Sequence, residues 1–351
     1  MKPGVSADGA ALLVVQTSFL GDVVLTTPLF TALRARLRPR RLAVLVRPEA
    51  RDLVDGHPDV DDVLIDAKRT ADRGLRGLLR TAGRLRREGF DLAVSPHRSF
   101  RTALTLAAAG IPRRVGFRES AGAFLYHERV PRDRGRHDVE RNLALVAPFG
   151  GAADPPRLHL PVTPQAAARA AALLPAGDGP LVGLAPGSVW RTKRWTPGGF
   201  AAVAAALAAD GARCVLLGGA DDVALAESIR TSSGGRTAVL AGRTDIATLV
   251  AVIDRLALMI TNDSAPQHIA CARDVPVVAV FCATTPALGY APYGRRVTVV
   301  EADLACRPCA RHGGPRCPRG TEDCMRLVAP GAVVAAARRF LAERGDAGHA
   351  A

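Results

Sequence analysis

Three short segments hold the side chains best suited to chemistry. The first, VVQTSFLGDVVLTTP (Val14–Pro28), runs from an apolar strand-like lead-in through a small polar loop to a lone carboxylate, Asp22, where a helix should begin. Taken alone, an acid at that place reads first as an N-cap, a role that stabilises a helix by about 1 kcal/mol. The second, GLAPGSVWRTKRWTPGGF, offers hydroxyls at Ser188 and Thr192 and cations at Arg191, Lys193 and Arg194 just before Thr196–Pro197, which mark a helix start. Backbone donors, hydroxyls and a cation converging there form a diphosphate site. The alternative is an exposed basic loop with Trp190 and Trp195 packing structurally. The third, LMITNDSAPQHIACARDVPVVAVF, ends a strand in Asn262, Asp263 and Ser264, and a helix carries His268 away from it. Asp263 and Ser264 can cap that helix while facing a ligand, and Ala265–Pro266 lets the backbone come close. His268 by itself reads as a satisfied helix histidine.

The elements that must position these groups alternate regularly. Ala11–Val15, Leu42–Val46, Val63–Ile65 and Leu92–Ser95 read as buried strands, separated by helical stretches such as Pro28–Leu37 and Gly74–Glu88. The pattern restarts with strands at Leu181–Ala185, Arg213–Leu217, Thr237–Leu240, Leu258–Thr261 and Val277–Phe281. Helices are expected between them at Thr196–Asp210, Val223–Thr231, Ile246–Asp254 and Ala265–Ala272. The expected fold is therefore α/β, with two Rossmann-like, doubly wound parallel-sheet domains. Their division is expected at 1–163 and 179–351, joined by an interdomain linker at 164–178 within a Gly/Pro-framed segment. Open sheets of this kind bind ligands at the carboxyl ends of their strands, so a cleft between the two is where chemistry is expected. The tail ERGDAGHAA is expected to fray.

Composition narrows the function classes. The chain has 351 residues, of which 48% are hydrophobic and 23% charged, an ordinary globular balance. No apolar run reaches the roughly 18–20 residues of a membrane span and no signal pattern opens the chain, so a cytoplasmic protein is expected. The net charge is +14, almost all from Arg, because Lys2, Lys68 and Lys193 are the only lysines. The first 175 positions carry 28 basic against 18 acidic residues, and the remainder 19 against 15. That asymmetry attracts an anionic partner to the first half. No G-x-G-x-x-G fingerprint follows the first strand, and GGADD at 218–222 lacks the third glycine, so nicotinamide chemistry is unsupported and no cofactor is expected.

Seven cysteines, an odd number, argue against a secreted disulfide framework. Four of them, Cys306, Cys309, Cys317 and Cys324, cluster in the loop 306–324 as C-x2-C-x7-C-x6-C. They form a structural zinc site, remain free thiols, or pair as disulfides; the spacing leaves all three open.

These segments in this order resemble glycosyltransferase family 9, the ADP-heptose:lipopolysaccharide heptosyltransferases, most closely the type that adds the second inner-core heptose. TSFLGDVVLTTP is similar to the family's S-x-x-G-D opening, SFRTALTLAAAGIPRRVGFR to its S-F-(K/R)-S/T-A-L…A-G-I-P-x-R-x-G segment, PGSVWRTKRWTP to its P-G…K-R-W-P motif, and TNDSAPQHIA to T-N-D-S-G-x-x-H-x-A. The resemblance implies a GT-B fold and an inverting transfer of heptose from ADP-L-glycero-D-manno-heptose to the lipopolysaccharide inner core, with no catalytic metal. It implies peripheral contact with the inner face of the inner membrane and no nucleic-acid partner. Carried over by motif, Asp22 is the general base and Lys193 contacts the diphosphate, with Ser188, Thr192 and Arg194 beside it. Asp263, Ser264, Ala265 and His268 line the donor pocket, and LAGRTD at 240–245 lies where the base and ribose sit. Arg98, Arg101 and Arg118, in an arginine-rich stretch with Arg113 and Arg114, are candidates for the acidic acceptor. Ala265 stands where the family has glycine, Cys282–Ala283 where it has Gly-Pro, and Gln16 where a basic residue is frequent. Alternatives are another nucleotide sugar as donor, or a non-catalytic polyanion-binding protein.

Overall fold

The structure is a computed structural model that describes residues 8–151 and 156–348, excepting the side chains from 344 onward. It contains two compact units, Met1–Pro161 and Val162–Ala351. The first holds strands β1 (Ala11–Val15), β2 (Arg41–Val46), β3 (Asp62–Ile65), β4 (Leu92–Ser95), β5 (Arg113–Phe117) and β6 (Glu128–Val130), all parallel, in the order β3-β2-β1-β4-β5-β6. Its helices are α1 (Leu20–Val24), α2 (Thr27–Leu37), α3 (Gly74–Glu88), α4 (Phe100–Ala108) and α5 (Asp138–Leu143).

The second unit opens with helix α6 (Pro164–Leu173), which packs on α9 (Ile246–Asp254). Strands β7 (Leu181–Ala185), β8 (Arg213–Leu216), β9 (Ala238–Val239), β10 (Leu258–Asn262), β11 (Val277–Phe281) and β12 (Val297–Glu301) form a sheet ordered β12-β11-β10-β7-β8-β9. Helices α7 (Pro197–Ala209), α8 (Val223–Ser232), α10 (Ala265–Ala272), α11 (Asp323–Arg326) and α12 (Pro330–Gly348) complete it. The segment expected to fray continues α12 as far as Gly348, and its last residues lie outside the described ones, as do residues 152–155 of the Gly/Pro-framed stretch.

Helices on both faces of each sheet explain why the central strands read as unbroken apolar runs rather than alternating ones. Leu12, Leu13 and Val14 in the first unit, and Val182, Leu184 and Ile260 in the second, are fully buried. Each strand order is the doubly wound one that reverses direction once, between β1 and β4 and again between β7 and β10. At a reversal the flanking crossover connections leave to opposite sides and open a crevice at the carboxyl ends of the two strands. In the first unit the loops after β1 and β4 edge that crevice. In the second, the loops after β7 and β10 do so.

Candidate active site

In the first unit, Asp22 is the third residue of α1 rather than its cap; Phe19 occupies the cap position. The carboxylate reaches back one turn, where its Oδ2 accepts from Ser18 Oγ at 2.6 Å and from the Phe19 backbone N–H at 3.1 Å. Burial pushes its pKa up, the Ser18 bond opposes that, and the negative charge of Asp138 adds to it. The Phe19 N–H and Arg132 pull in the other direction. A carboxylate held above the usual range and oriented by two donors is a better base than an exposed one. Asp138 and Arg132 form a buried ion pair, and Arg141 approaches the same carboxylate at 3.5 Å. Neither Arg132 nor Asp138 carries a local sequence signal that would associate it with Asp22.

Across the β1/β4 reversal, Lys68 Nζ donates to Thr17 Oγ1 at 2.9 Å, and that hydroxyl lies 3.1 Å from His97 Nδ1. The same ring nitrogen stands 2.7 Å from Thr102 Oγ1. Burial, then Lys68, Arg47 and Arg98, lower the His97 pKa to about 3, so the imidazole is neutral in any ordinary buffer. A neutral ring whose Nδ1 accepts the Thr17 O–H leaves the Thr17 oxygen able to accept an N–H from a charged Lys68. Burial lowers Lys68 to about 8; Asp66 opposes this, while Arg47, Arg69 and Arg101 add to it. Arg47 is itself buried, and its Nε has no hydrogen-bond partner among the described residues. Lys68, Arg47, Arg69 and Arg101 therefore cluster beside this edge, facing Asp66, Asp22 and Glu49, the last 3.6 Å from Arg47.

The three arginines proposed for an acidic acceptor are placed differently from one another. Arg101 donates to the carbonyls of Asp72 at 2.6 Å and Gly74 at 2.8 Å and stands 3.8 Å from Asp66, so it straps α4 to the start of α3. Arg98 is half-buried in the loop after β4, where its charge bears on His97. Arg118 is exposed beyond β5.

In the second unit, the loop after β7 and the end of β10 are tied together by Asn262. Its Oδ1 accepts from the Trp195 N–H at 2.8 Å, and its Nδ2 donates to Pro186 O at 2.7 Å. This brings Lys193 Nζ within 2.7 Å of Asp263 Oδ2, both side chains being largely buried. Thr284 Oγ1 donates to the same oxygen at 2.7 Å, and Gln267 Nε2 to Oδ1 at 3.1 Å. His268 lies next to Gln267, 3.3 Å from its amide nitrogen. Asp263 is thus an anchor for the lysine and not a cap. Ser264 does hold the cap position of α10, yet its hydroxyl faces Thr261 Oγ1 at 3.2 Å and makes no capping bond; Ala265 follows as the first helical residue. Arg194 folds back on Ser188 O at 2.8 Å. In the 240–245 segment Asp245 caps α9, accepting from Thr248 N–H at 2.7 Å.

The cysteine-rich loop clamps this arrangement from outside. Thr192 Oγ1 accepts from Gly314 N–H at 2.8 Å, and Thr192 N–H donates to Gly314 O at 3.2 Å. Gly313, at φ +77°, lies so close that a Cβ there would stand 2.8 Å from Lys193 Cγ. All seven cysteines are free thiols. Among the described residues no three His, Cys, Asp or Glu side chains are grouped so as to hold a metal, although Cys306, Cys309 and Cys317 are near enough to Cys324 to act on its charge. Backbone N–H groups of residues 319–322, Glu322 first, lower the Cys317 pKa, whereas burial raises those of Cys309 and Cys324.

Comparison with known proteins agrees with the fold. The chain is 28% identical over 290 residues to lipopolysaccharide heptosyltransferase 2 of Salmonella typhimurium, covering 78% of this chain and 83% of that protein. Its counterpart in Escherichia coli is 27% identical over the same length and coverage. In fold, a family 9 glycosyltransferase of Veillonella parvula superposes with a TM-score of 0.87 at 22% identity, covering 96% of this chain and 98% of that one. Escherichia coli ADP-heptose lps heptosyltransferase II does so at 0.81 and 23%, covering 95% and 99%. The doubly wound halves are accordingly those of the GT-B class. Residues 78–316 match the family described as glycosyltransferase family 9 (heptosyltransferase), and the chain belongs to that family of transferases.

Proposed function

We propose that the protein is an inverting heptosyltransferase that moves heptose from ADP-L-glycero-D-manno-heptose to the inner core of lipopolysaccharide, working at the cytoplasmic face of the inner membrane. The observation that carries this reading is the Asp22 carboxylate, raised by burial yet aimed by Ser18 and Phe19, beside an unbalanced cluster of cations. The acceptor hydroxyl attacks the anomeric carbon of the donor, its proton passes to Asp22, and the bond from that carbon to the diphosphate oxygen breaks. ADP leaves with the bonding pair. Lys193, delivered by the loop after β7, offsets the charge that develops on the departing diphosphate. Thr192 keeps that loop in place through Gly314, and Asp263 holds the lysine until the diphosphate takes it over. The cations around Lys68 and Arg98 suit an acceptor rich in phosphate and carboxylate.

Asp22→Asn keeps the shape and removes the base. Turnover with ADP-heptose and a purified heptose-deficient acceptor should fall by roughly 100- to 10,000-fold, while ADP affinity stays the same. Full activity of this variant would refute the role of Asp22. A panel of ADP-, UDP- and GDP-sugars, scored by thermal shift, tests the donor: ADP-heptose should raise the melting point most.

A further inference from the structure

Among the described residues, five of the eight exposed large hydrophobic side chains belong to the first unit: Phe19, Leu75, Leu79, Phe100 and Phe124. They are not scattered. Phe100 and Phe124 lie with tilted rings whose centroids are 6.3 Å apart, at 46% and 67% exposure. Leu75 and Leu79, at 66% and 55%, are one turn apart on α3. Helices α3 and α4 pack together, and Arg101 bonds the carbonyls of Asp72 and Gly74 from the first turn of α4. The residues next in the chain, Leu75 and Phe100, therefore start neighbouring helices side by side.

The surroundings of this apolar strip are basic. Arg69, Arg73, Arg76 and Arg80 are exposed along the loop and helix that carry Leu75 and Leu79, and the nearest acid, Asp72, is buried and taken up by Arg80 and Arg84, at 3.6 and 3.1 Å. Among the described residues Arg73 and Arg76 make no ion pair. Both helices begin after strands β3 and β4, so their first turns lie at the carboxyl edge of the sheet, the edge that holds Asp22. Phe19 links the two regions: the guanidinium groups of Arg47 and Arg69 lie over its ring at 5.8 and 6.0 Å, and its N–H bonds Asp22.

Exposed leucine and phenylalanine framed by unpaired arginine is a combination that neither water nor a purely polyanionic partner satisfies. The apolar groups gain by entering acyl chains, while the arginines stay at the level of anionic headgroups. We propose that the face formed by the first turns of α3 and α4, with Leu75, Leu79, Phe100 and Phe124, docks on the surface of an anionic phospholipid bilayer. Charge complementarity and continuity with the Asp22 edge select this occupant over a protein groove. The docked orientation turns that edge toward the membrane, which suits an acceptor anchored in lipid; that consequence, and not the docking itself, rests on the proposed transfer reaction.

Sedimentation with vesicles of phosphatidylethanolamine and phosphatidylglycerol, against phosphatidylcholine alone, tests the inference in the full chain without donor or acceptor. The wild type should sediment with the anionic vesicles only, and less so at high salt. The double variants Leu75→Ser/Leu79→Ser, Phe100→Ser/Phe124→Ser and Arg73→Glu/Arg76→Glu should each lower the partition coefficient by roughly tenfold or more with an unchanged melting point. Absence of wild-type binding overturns the proposal. So does unchanged binding of both apolar variants, because charge alone would then hold the protein to vesicles. Transfer to a detergent-dispersed acceptor should be unaffected in all three variants, which separates failure of the docking face from failure of the catalytic reading.

Discussion

Lys68→Met tests whether the first unit keeps a cation at the expense of its own folding. Burial brings Lys68 from an ordinary 10.5 to about 8, against the pull of Asp66. The unfolded chain then holds the proton more tightly than the folded one. Stability must rise with pH between about 8 and 10.5, and below about 8 the penalty is present in full. A fall of that size corresponds to about 3 kcal/mol, brought down to about 1–2 kcal/mol because the ammonium is still partly exposed to screening water and the variant loses the bond to Thr17. Thermal melts at neutral pH should therefore show Lys68→Met to be the more stable protein, by roughly 2–4 °C per kcal/mol for a unit of this size. The gap should close as pH rises through the window above. Inorganic phosphate should stabilise the wild type and not the variant, since an anion restores the charged form. A variant that melts earlier at neutral pH, or a gap that ignores pH, would refute the idea of a strained cation awaiting its partner.

Three further outcomes follow from the same geometry. His97 titrates at about 3 against an ordinary 6.5, so folding stability is lost as pH falls through that interval, by about 2 kcal/mol near pH 5; His97→Gln should flatten this acid limb in urea titrations. Thr284→Val removes a 2.7 Å donor from Asp263 and should lower stability by about 1.5–3 kcal/mol, while ADP binds more tightly because the carboxylate competes less well ordered for Lys193; unchanged calorimetric affinity would speak against that competition. Gly313→Ala meets both a left-handed φ of +77° and the Lys193 stem, so it should cost about 1–2 kcal/mol and weaken ADP binding, whereas Gly320→Ala, in open space at φ +74°, should affect stability alone.

Much of the scaffold was legible because buried parallel strands and their crossover helices leave unambiguous runs. Ala11–Val15, Leu92–Ser95, Leu181–Ala185 and Val277–Phe281, and helices Gly74–Glu88, Ile246–Asp254 and Ala265–Ala272, are found with the expected bounds. Strand β9 shrinks to Ala238–Val239 at the sheet edge, where only one neighbour supplies hydrogen bonds. Strands β5, β6 and β12 went unread. β5 begins Arg113–Arg114, whose side chains bond Glu128 and the carbonyls of Leu125 and Ile111, so polar letters there hide a strand. The chemistry was harder to read. Asp22 and Asp263 both looked like caps because a cap is a local relation; Asp22 does bond locally, to Ser18 and Phe19, and only its burial is tertiary, whereas Asp263 meets a lysine 70 positions earlier. One signal for Lys68 did exist. In a chain that uses arginine almost throughout, Lys68 and Lys193 are the two lysines beyond the N-terminus. A compact ammonium that burial can shift, or that can pass between carboxylate and diphosphate, is a task arginine performs poorly.

The two units share one strand order and put opposite electrostatics at its reversal. In the second, Lys193 is matched by Asp263, which Thr284 and Gln267 hold in turn, so that lysine is neutralised within its own unit. In the first, Lys68, Arg47 and Arg98 all depress the His97 pKa, and the carboxylates near them are Glu49, 3.6 Å from Arg47, Asp66, itself raised by burial, and Asp22. A closed pair admits a ligand that brings its own charge and exchanges with the carboxylate, as a nucleoside diphosphate does. An open cationic crevice gains most from a ligand that supplies several anions at once. The asymmetry of charge along the chain, strongest in its first 175 positions, thus has a local counterpart in which partner each crevice lacks. Because the same surplus raises the electrostatic gain of binding and lowers the stability of the empty unit, the first unit should be the less stable of the two until its anion arrives.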